Sequence, residues 1–222
     1  MSSVAQPLQI AEADTAVTQQ DVMTRQSIKP EKHFNARYYA KWYEKDIATR
    51  QYIADKAARF LLSYVEHMDS EIATVLDVGC GLGLWKKALM KQDRRLRYTG
   101  VEWSSHLCRK LGWEQGDVRT YASRRAFDLV ICQAVLQYLP DEECATAIGN
   151  LSRLSRRFLY LEVLTAGDAN EICEPEGTDF AVHVRSAEWY ARHIGRHFVN
   201  LGGGLYAKPE MRQHFYELWR TA

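Results

Sequence analysis

Nowhere in these 222 residues does an apolar run approach the ~20 residues that a membrane-crossing helix needs, and the N-terminus lacks the apolar core of a secretory signal. The expectation is a cytoplasmic protein with no membrane partner. Charge of one sign is not in excess either. Lys and Arg number 29 against 28 Asp and Glu, a net charge of +1. Duplex nucleic acid asks for a basic face, and this balance offers no footprint for it. Cysteine is scarce and odd in number. Cys80, Cys108, Cys132, Cys144 and Cys173 lack metal-ligand spacing and read as buried free thiols of a reducing compartment. His193 and His197 sit at i, i+4, but no third ligand joins them at useful spacing except acids of the 164–185 loop. With Arg192 and Arg196 beside them they read as a solvated helix face, and no metal site is expected.

What remains is ordinary for a soluble domain: 46 % hydrophobic and 26 % charged residues, with enough chain for one core. Residues 1–30 are polar and aperiodic, a mobile tail with room for a short helix near Ala13–Arg25. The domain itself runs over 31–208. It opens on an irregular aromatic stretch with Tyr38, Tyr39, Trp42 and Tyr43 between charges. Ile53, Ala57, Phe60, Leu61, Tyr64 and Met68 then recur at helical spacing and should pack on a sheet. Residues 209–222 place Met211, Phe215, Leu218 and Trp219 on one face of a C-terminal amphipathic helix. That helix could cover the domain or join a second copy in a homodimer.

The chain is organised around Thr74–Trp85, TVLDVGCGLGLW. Val75, Leu76 and Val78 flank one acid, Asp77, in a short strand. Gly79, Gly81 and Gly83 follow at once, and then a helical segment, Leu84–Gln92. Strand, glycine turn and helix form the first unit of a dinucleotide-type α/β fold. A turn for pyrophosphate needs G-x-G-x-x-G, yet position 84 is leucine. An acid two residues before the first glycine suits a cationic ligand better than a phosphate.

Val75–Gly83 resembles motif I of the class I S-adenosylmethionine-dependent methyltransferases. The resemblance implies S-adenosylmethionine as cofactor, with its ammonium and sulfonium over the glycine turn. It extends over roughly residues 70–208. Arg97–Glu102 reads as the second strand. An acid at its end offers acceptors to the two hydroxyls of a ribose, and Glu102 has that place. Trp103 would lie on the adenine or ribose face. Gly116-Asp117-Val118 resembles the family's G-D-x, whose acid accepts the adenine amino group. The implied cofactor set is Asp77, Gly79, Cys80, Gly81, Gly83, Glu102, Trp103, Asp117, Val118 and Gln133.

Trp113–Asp117, Phe127–Cys132 and Phe158–Leu164 read as the third, fourth and fifth strands, the fourth buried on both faces. Asp141 reads as the cap of the intervening helix, with Glu142 and Glu143 in its first turn. Phe198–Leu201 and Leu205–Ala207, joined by Gly202–Gly204, read as a hairpin. The expected fold is α/β: a doubly wound, mostly parallel seven-stranded sheet whose last strand is antiparallel.

Methyltransferases of nucleobases and some glutamines carry N/D-P-P-Y at the end of the fourth strand. Here Cys132-Gln133-Ala134-Val135 stands instead, followed by Leu136-Gln137-Tyr138-Leu139, which resembles small-molecule enzymes. Acceptor-side bases can be sought among Tyr138, Glu162, Asp179 and His183, with His183 and Tyr138 chosen as catalytic. Tyr39, Trp42, Tyr138 and Arg185 are the expected substrate contacts, Arg185 as a cation for an acidic group. The long acidic loop Leu164–Arg185 should form one side of the acceptor pocket. The reaction expected is methyl transfer to an O- or N-nucleophile of a small molecule. A non-catalytic cofactor-binding partner subunit and a nicotinamide-dependent oxidoreductase stand as alternatives.

Overall fold

Neighbouring residues of the central strands point into two separate apolar layers, and that alternation sets the architecture. The computed structural model describes residues 33–174 and 176–220. The polar tail expected over 1–30, with its helix near Ala13–Arg25, lies outside the described residues. Among the described residues one sheet is formed by β1 (Thr74–Val78), β2 (Arg97–Glu102), β3 (Glu114–Gln115), β4 (Phe127–Gln133), β5 (Ser155–Glu162), β6 (Val199–Asn200) and β7 (Leu205–Ala207). Their order is β3-β2-β1-β4-β5-β7-β6. β1 pairs in parallel with β2 and β4, and β4 with β5, while β7 lies antiparallel between β5 and β6. This is the expected mostly parallel, seven-stranded sheet with its last strand reversed.

Val75, Leu129, Ile131, Phe158 and Tyr160 face one layer, which α2 (Ile47–His67) and α3 (Leu84–Gln92) cover. Leu76, Val130, Cys132, Leu159 and Leu161 face the other, covered by α5 (Asp141–Leu154) and α7 (Ala187–Ile194). Two-sided burial is why these strands read as nearly continuous apolar runs. The buried stripe of α2 is Ala54, Ala58, Leu61 and Val65, one position round from the expected stripe. Ile53 is 51 % exposed, and Phe60 covers the hairpin glycine Gly203. Small alanines at the contact let the helix lie close to the sheet.

Two other expectations are corrected. Asp141 is the first helical residue of α5, not its cap; Pro140 takes the cap position and Asp141 pairs with Arg185. The C-terminal segment is two short 3-10 pieces, Pro209–His214 and Glu217–Trp219, separated by extended backbone at Phe215. Phe215 is buried and Met211 and Trp219 pack on the first layer, whereas Leu218 is 97 % exposed. A continuous helix would have kept all four on one face. No helix among the described residues is long and apolar enough to cross a membrane.

A third apolar cluster caps the carboxyl end of the sheet. It joins Phe34, Tyr38, Tyr39, Leu107, Tyr138 and Val182. The aromatic stretch expected to be irregular forms α1 (Ala36–Trp42), with Asn35 accepting the Tyr38 N–H as its N-cap.

Candidate active site

The strand order reverses between β1 and β4, so a crevice opens beyond their carboxyl ends. Gly79 and Gly81 turn the chain there with φ of 77° and 52°. A Cβ on Gly79 would overlap the Val135 side chain, so only glycine lets the two loops meet. Across the crevice Ala134 also has positive φ, 55°, and donates its N–H to the Glu162 carbonyl at 2.8 Å. An alanine held in that region marks a backbone constrained by its surroundings.

A cavity of about 320 Å3 occupies the crevice. Of the expected cofactor residues, Asp77, Gly79, Cys80, Gly81, Glu102, Trp103 and Gln133 line it. Asp77 is 1 % exposed and Glu102 4 %. Burial pushes the Asp77 carboxyl up to about 7, even though the Tyr98 hydroxyl donates to it at 2.5 Å; the nearby Glu102 charge adds to the rise. Burial likewise raises Glu102, against the Ser104 and Gly81 N–H groups, each 2.8 Å from one of its oxygens. The Tyr39 hydroxyl reaches Glu102 at 3.4 Å. Gln133 accepts the Trp85 indole N–H at 2.8 Å, which fixes its amide at the cavity wall.

Three expected cofactor residues lie elsewhere. Gly83 is the N-cap of α3 with φ of 74°, and a Cβ there would press on the Trp113 ring. Val118 is buried in the second layer. Asp117 does not line the cavity, because both its oxygens are held by the Arg119 guanidinium, Nε lying 2.8 and 2.9 Å from them. Arg119 also pairs with Glu143 and lies 5.4 Å over the Trp103 ring.

A second cavity, about 380 Å3, adjoins the first under the 164–185 loop. Tyr38, Tyr43, Arg50, Ala134, Tyr138 and Glu162 line both. Trp42, Gln137, Asp168, Cys173 and Asp179 belong to the second alone. The loop is folded rather than open: α6 (Ala166–Glu171) carries a capping box between Thr165 and Asp168. Tyr138 donates to Asp179 at 3.2 Å and so accepts from the Tyr38 hydroxyl, 2.6 Å away. His33 Nε2 approaches the same Asp179 oxygen at 3.3 Å. Burial drives both phenols well above the ordinary tyrosine range, which keeps them neutral hydrogen-bonding groups.

The acceptor-side expectations therefore divide. Trp42 lines the second cavity, and Tyr138 lines both. Tyr39 stands over Glu102 in the first cavity and not in the second. His183 lines neither; its backbone N–H ties the loop to the Gln137 carbonyl at 2.7 Å. Arg185 is buried beneath the loop. It donates to Asp141 at 2.7 Å, to the Tyr190 hydroxyl at 3.1 Å and to the carbonyls of Leu136, Leu139 and His183. It holds backbone in place and presents no cation to either cavity. Arg50 is absent from the expected site contacts, while Tyr43 enters them only as part of the aromatic stretch and Glu162 only as a candidate base. The aromatic stretch pointed toward Tyr43, and Glu162 ends a strand, but nothing local marks Arg50.

Among the described residues no group of three or more His, Cys, Asp or Glu could hold a metal ion. The fit to S-adenosylmethionine can be judged from the donor set. Two buried carboxylates suit an ammonium and a hydroxyl pair, and Asp77 pairs with no cation among the described residues. At Gly81 a Cβ would meet only the Gly79 carbonyl oxygen, 3.9 Å away. Those residues fit the group.

Residues 75–157 match the family described as Methyltransferase domain. A trans-aconitate 2-methyltransferase from Azoarcus sp. (strain BH72) is 36 % identical over 182 residues, 75 % of this chain and 66 % of the relative. A ubiquinone biosynthesis O-methyltransferase from Xylella fastidiosa (strain 9a5c) is 30 % identical over 177 residues, 67 % of each chain. The chain thus spans about two thirds of the length of these curated relatives. Among solved structures, magnesium protoporphyrin IX methyltransferase from Synechocystis PCC 6803 with bound SAH superposes with a TM-score of 0.58 at 18 % identity, over 80 % of this chain and 94 % of that one. An amino pentose methyltransferase from Micromonospora echinaspora gives 0.54 at 16 % identity, over 74 % and 96 %. At such identities these two likenesses concern the fold.

Proposed function

Because the chain belongs to the class I S-adenosylmethionine-dependent methyltransferases, we propose that it methylates a small molecule bound in the second cavity. The observation that carries this reading is the wall the two cavities share. Tyr38, Tyr138 and Glu162 border both, so a ligand in each would meet there. When bound, S-adenosylmethionine supplies an electrophilic methyl carbon, whose bond to sulfur breaks as the acceptor's lone pair bonds to it and whose electron pair stays on sulfur.

Each role left to the protein has a residue. Asp77 would pair with the ammonium, and Glu102, whose Oε1 already accepts from Ser104 and Tyr39 and whose Oε2 accepts from Gly81, would accept from the ribose on Oε2. Trp103 covers a flat face. Helix α1 and the loop stand over the shared wall and would hold the reacting groups in line. Volumes of 300–400 Å3 and aromatic walls suit a small molecule better than a duplex. All five cysteines are free, which supports the cytoplasmic reading.

The test is calorimetry with S-adenosylmethionine, followed by release of S-adenosylhomocysteine against a panel of hydroxyl, carboxylate and amine acceptors. Trans-aconitate belongs in the panel because a relative is named for it. Micromolar binding, on the order of −8 kcal/mol, is expected. No binding at millimolar cofactor would overturn the reading.

A further inference from the structure

We infer that the second cavity takes an acceptor whose nucleophile is an amine, held at the shared wall with Glu162 as its counter-charge. This rests on the methyl-transfer reading and narrows it from any small molecule to one chemical class.

The lining sets the charge. Glu162, Asp168 and Asp179 are carboxylates of this cavity, and Arg50 is its only cation among the described residues. Arg50 already donates Nη2 to the Trp42 carbonyl at 2.9 Å and lies over the Tyr43 ring. Glu162 receives the Tyr160 hydroxyl on Oε2 at 3.2 Å, which leaves Oε1 open among the described residues. With three carboxylates against one guanidinium in its lining, the cavity disfavours an anionic acceptor.

A second observation is independent of that charge count. Gln137 is 6 % exposed and lines the cavity, and its Oε1 has no hydrogen-bond partner among the described residues. A buried carbonyl oxygen without a donor is costly and calls for a group that donates. Tyr38, Trp42 and Tyr43 add aromatic walls, although Lys41 already lies 3.9 Å over the Trp42 ring and Arg50 over that of Tyr43. An ammonium answers both the carboxylates and the orphaned oxygen; an alcohol answers the oxygen alone, and a carboxylate answers neither.

An ammonium has no lone pair to give. Glu162 takes one proton from it, and the neutral nitrogen then forms the N–C bond as the donor's C–S bond breaks, with that pair left on sulfur. The product leaves as a methylated ammonium. Glu162 is exposed enough to return its proton to water.

Ligand-observed NMR on the full chain saturated with S-adenosylhomocysteine tests this without turnover. The probes are 2-phenylethylamine, 2-phenylethanol and phenylacetate. The amine should bind about tenfold more tightly than either partner. Glu162→Gln should erase that preference and leave 2-phenylethanol unchanged. Gln137→Leu should weaken the amine a few-fold, and S-adenosylhomocysteine affinity reports that each variant is folded. The inference is overturned if the amine is not preferred, if its preference survives in Glu162→Gln, or if no probe binds at about 10 mM. Failure of S-adenosylhomocysteine itself to bind would instead remove the methyl-transfer reading, and this inference with it.

Discussion

Tyr38 and Tyr138 stand 100 positions apart in the chain, and their hydroxyl oxygens lie 2.6 Å apart above the crevice. That bond fastens helix α1, which precedes the sheet, to the turn that follows β4. Tyr138 passes its own hydrogen on to Asp179 of the loop. Three segments far apart in the chain are thus joined through two neutral phenols. Either phenol changed to Phe should cost about 1–3 kcal/mol, because its buried partner is left unpaired. Tyr38→Phe with Tyr138→Phe should cost clearly less than the sum of the two. Urea unfolding of the four proteins checks it; strict additivity would mean the hydroxyls do not interact.

Glu102 and Asp117 were both expected to hold the cofactor, but their surroundings separate them. Glu102 lines the cavity, while Asp117 is committed to Arg119. Glu102→Ala should weaken S-adenosylmethionine by ~1.5–3 kcal/mol, the usual scale for a charged hydrogen-bond partner. Asp117→Asn should leave affinity within about 0.5 kcal/mol and lower stability instead. Calorimetry and thermal unfolding on both variants distinguish the two; equal losses of affinity would return Asp117 to the site.

The Asp77 carboxyl gives a pH dependence of definite sign. Its folded value is raised from 3.8 to about 7. Between those values the folded protein keeps a proton that the unfolded chain has released, so stability should fall as pH rises through that window. Asp77 faces Glu102, Cys80 and the Tyr98 hydroxyl, none of which supplies a positive charge. A cationic ligand favours the carboxylate, so binding should release a proton below pH 7 and tighten as pH rises from ~5.5 to ~7. Calorimetry in buffers of different ionisation enthalpy counts that proton. In Asp77→Asn the proton release should vanish; its persistence would assign the titration to another group.

The parts of this molecule legible from sequence are those where local pattern and tertiary role coincide. Strands β1, β4 and β5 are apolar on both faces, and the glycine turn has few conformations open to it, so the sheet and Asp77, Gly79 and Glu102 could be placed directly. What failed depends on contacts distant in sequence. The true stripe of α2 uses Ala54 and Ala58, which carry little hydrophobic signal but permit close approach. Asp128, read as part of an apolar strand, accepts from Ala73, Thr74 and Arg156 and pins the opposite end of the sheet. Asp117 is the exception, a local miss, since Arg119 two residues on binds both its oxygens; nothing near His183 shows that its N–H will reach the distant Gln137 carbonyl.

Arg185 shows how a residue can carry the right charge for a substrate and still serve the fold. Its side chain is 4 % exposed, and its partner Asp141 is 68 % exposed. The pair is therefore one-sided: removing Arg185 would strand no buried charge, because water already reaches Asp141. The carbonyls of Leu136, Leu139 and His183 would lose donors. Those carbonyls belong to the turn that carries Gln137 and Tyr138 and to the end of the loop above it. Arg185→Met, which keeps much of the apolar stem, should cost about 2–4 kcal/mol of stability, the scale of buried acceptors left unpaired. Cofactor affinity should stay within about 0.5 kcal/mol, since the residue does not line the first cavity. Turnover should fall for every acceptor alike, because the shared wall loosens whatever the acceptor's charge. A substrate-binding arginine would behave differently. Arg185→Met would then raise KM for carboxylate acceptors alone and spare stability. Denaturant unfolding together with steady-state kinetics on a carboxylate and an amine acceptor separates the two roles. A selective KM effect in a fully stable variant would put the guanidinium back in the acceptor pocket.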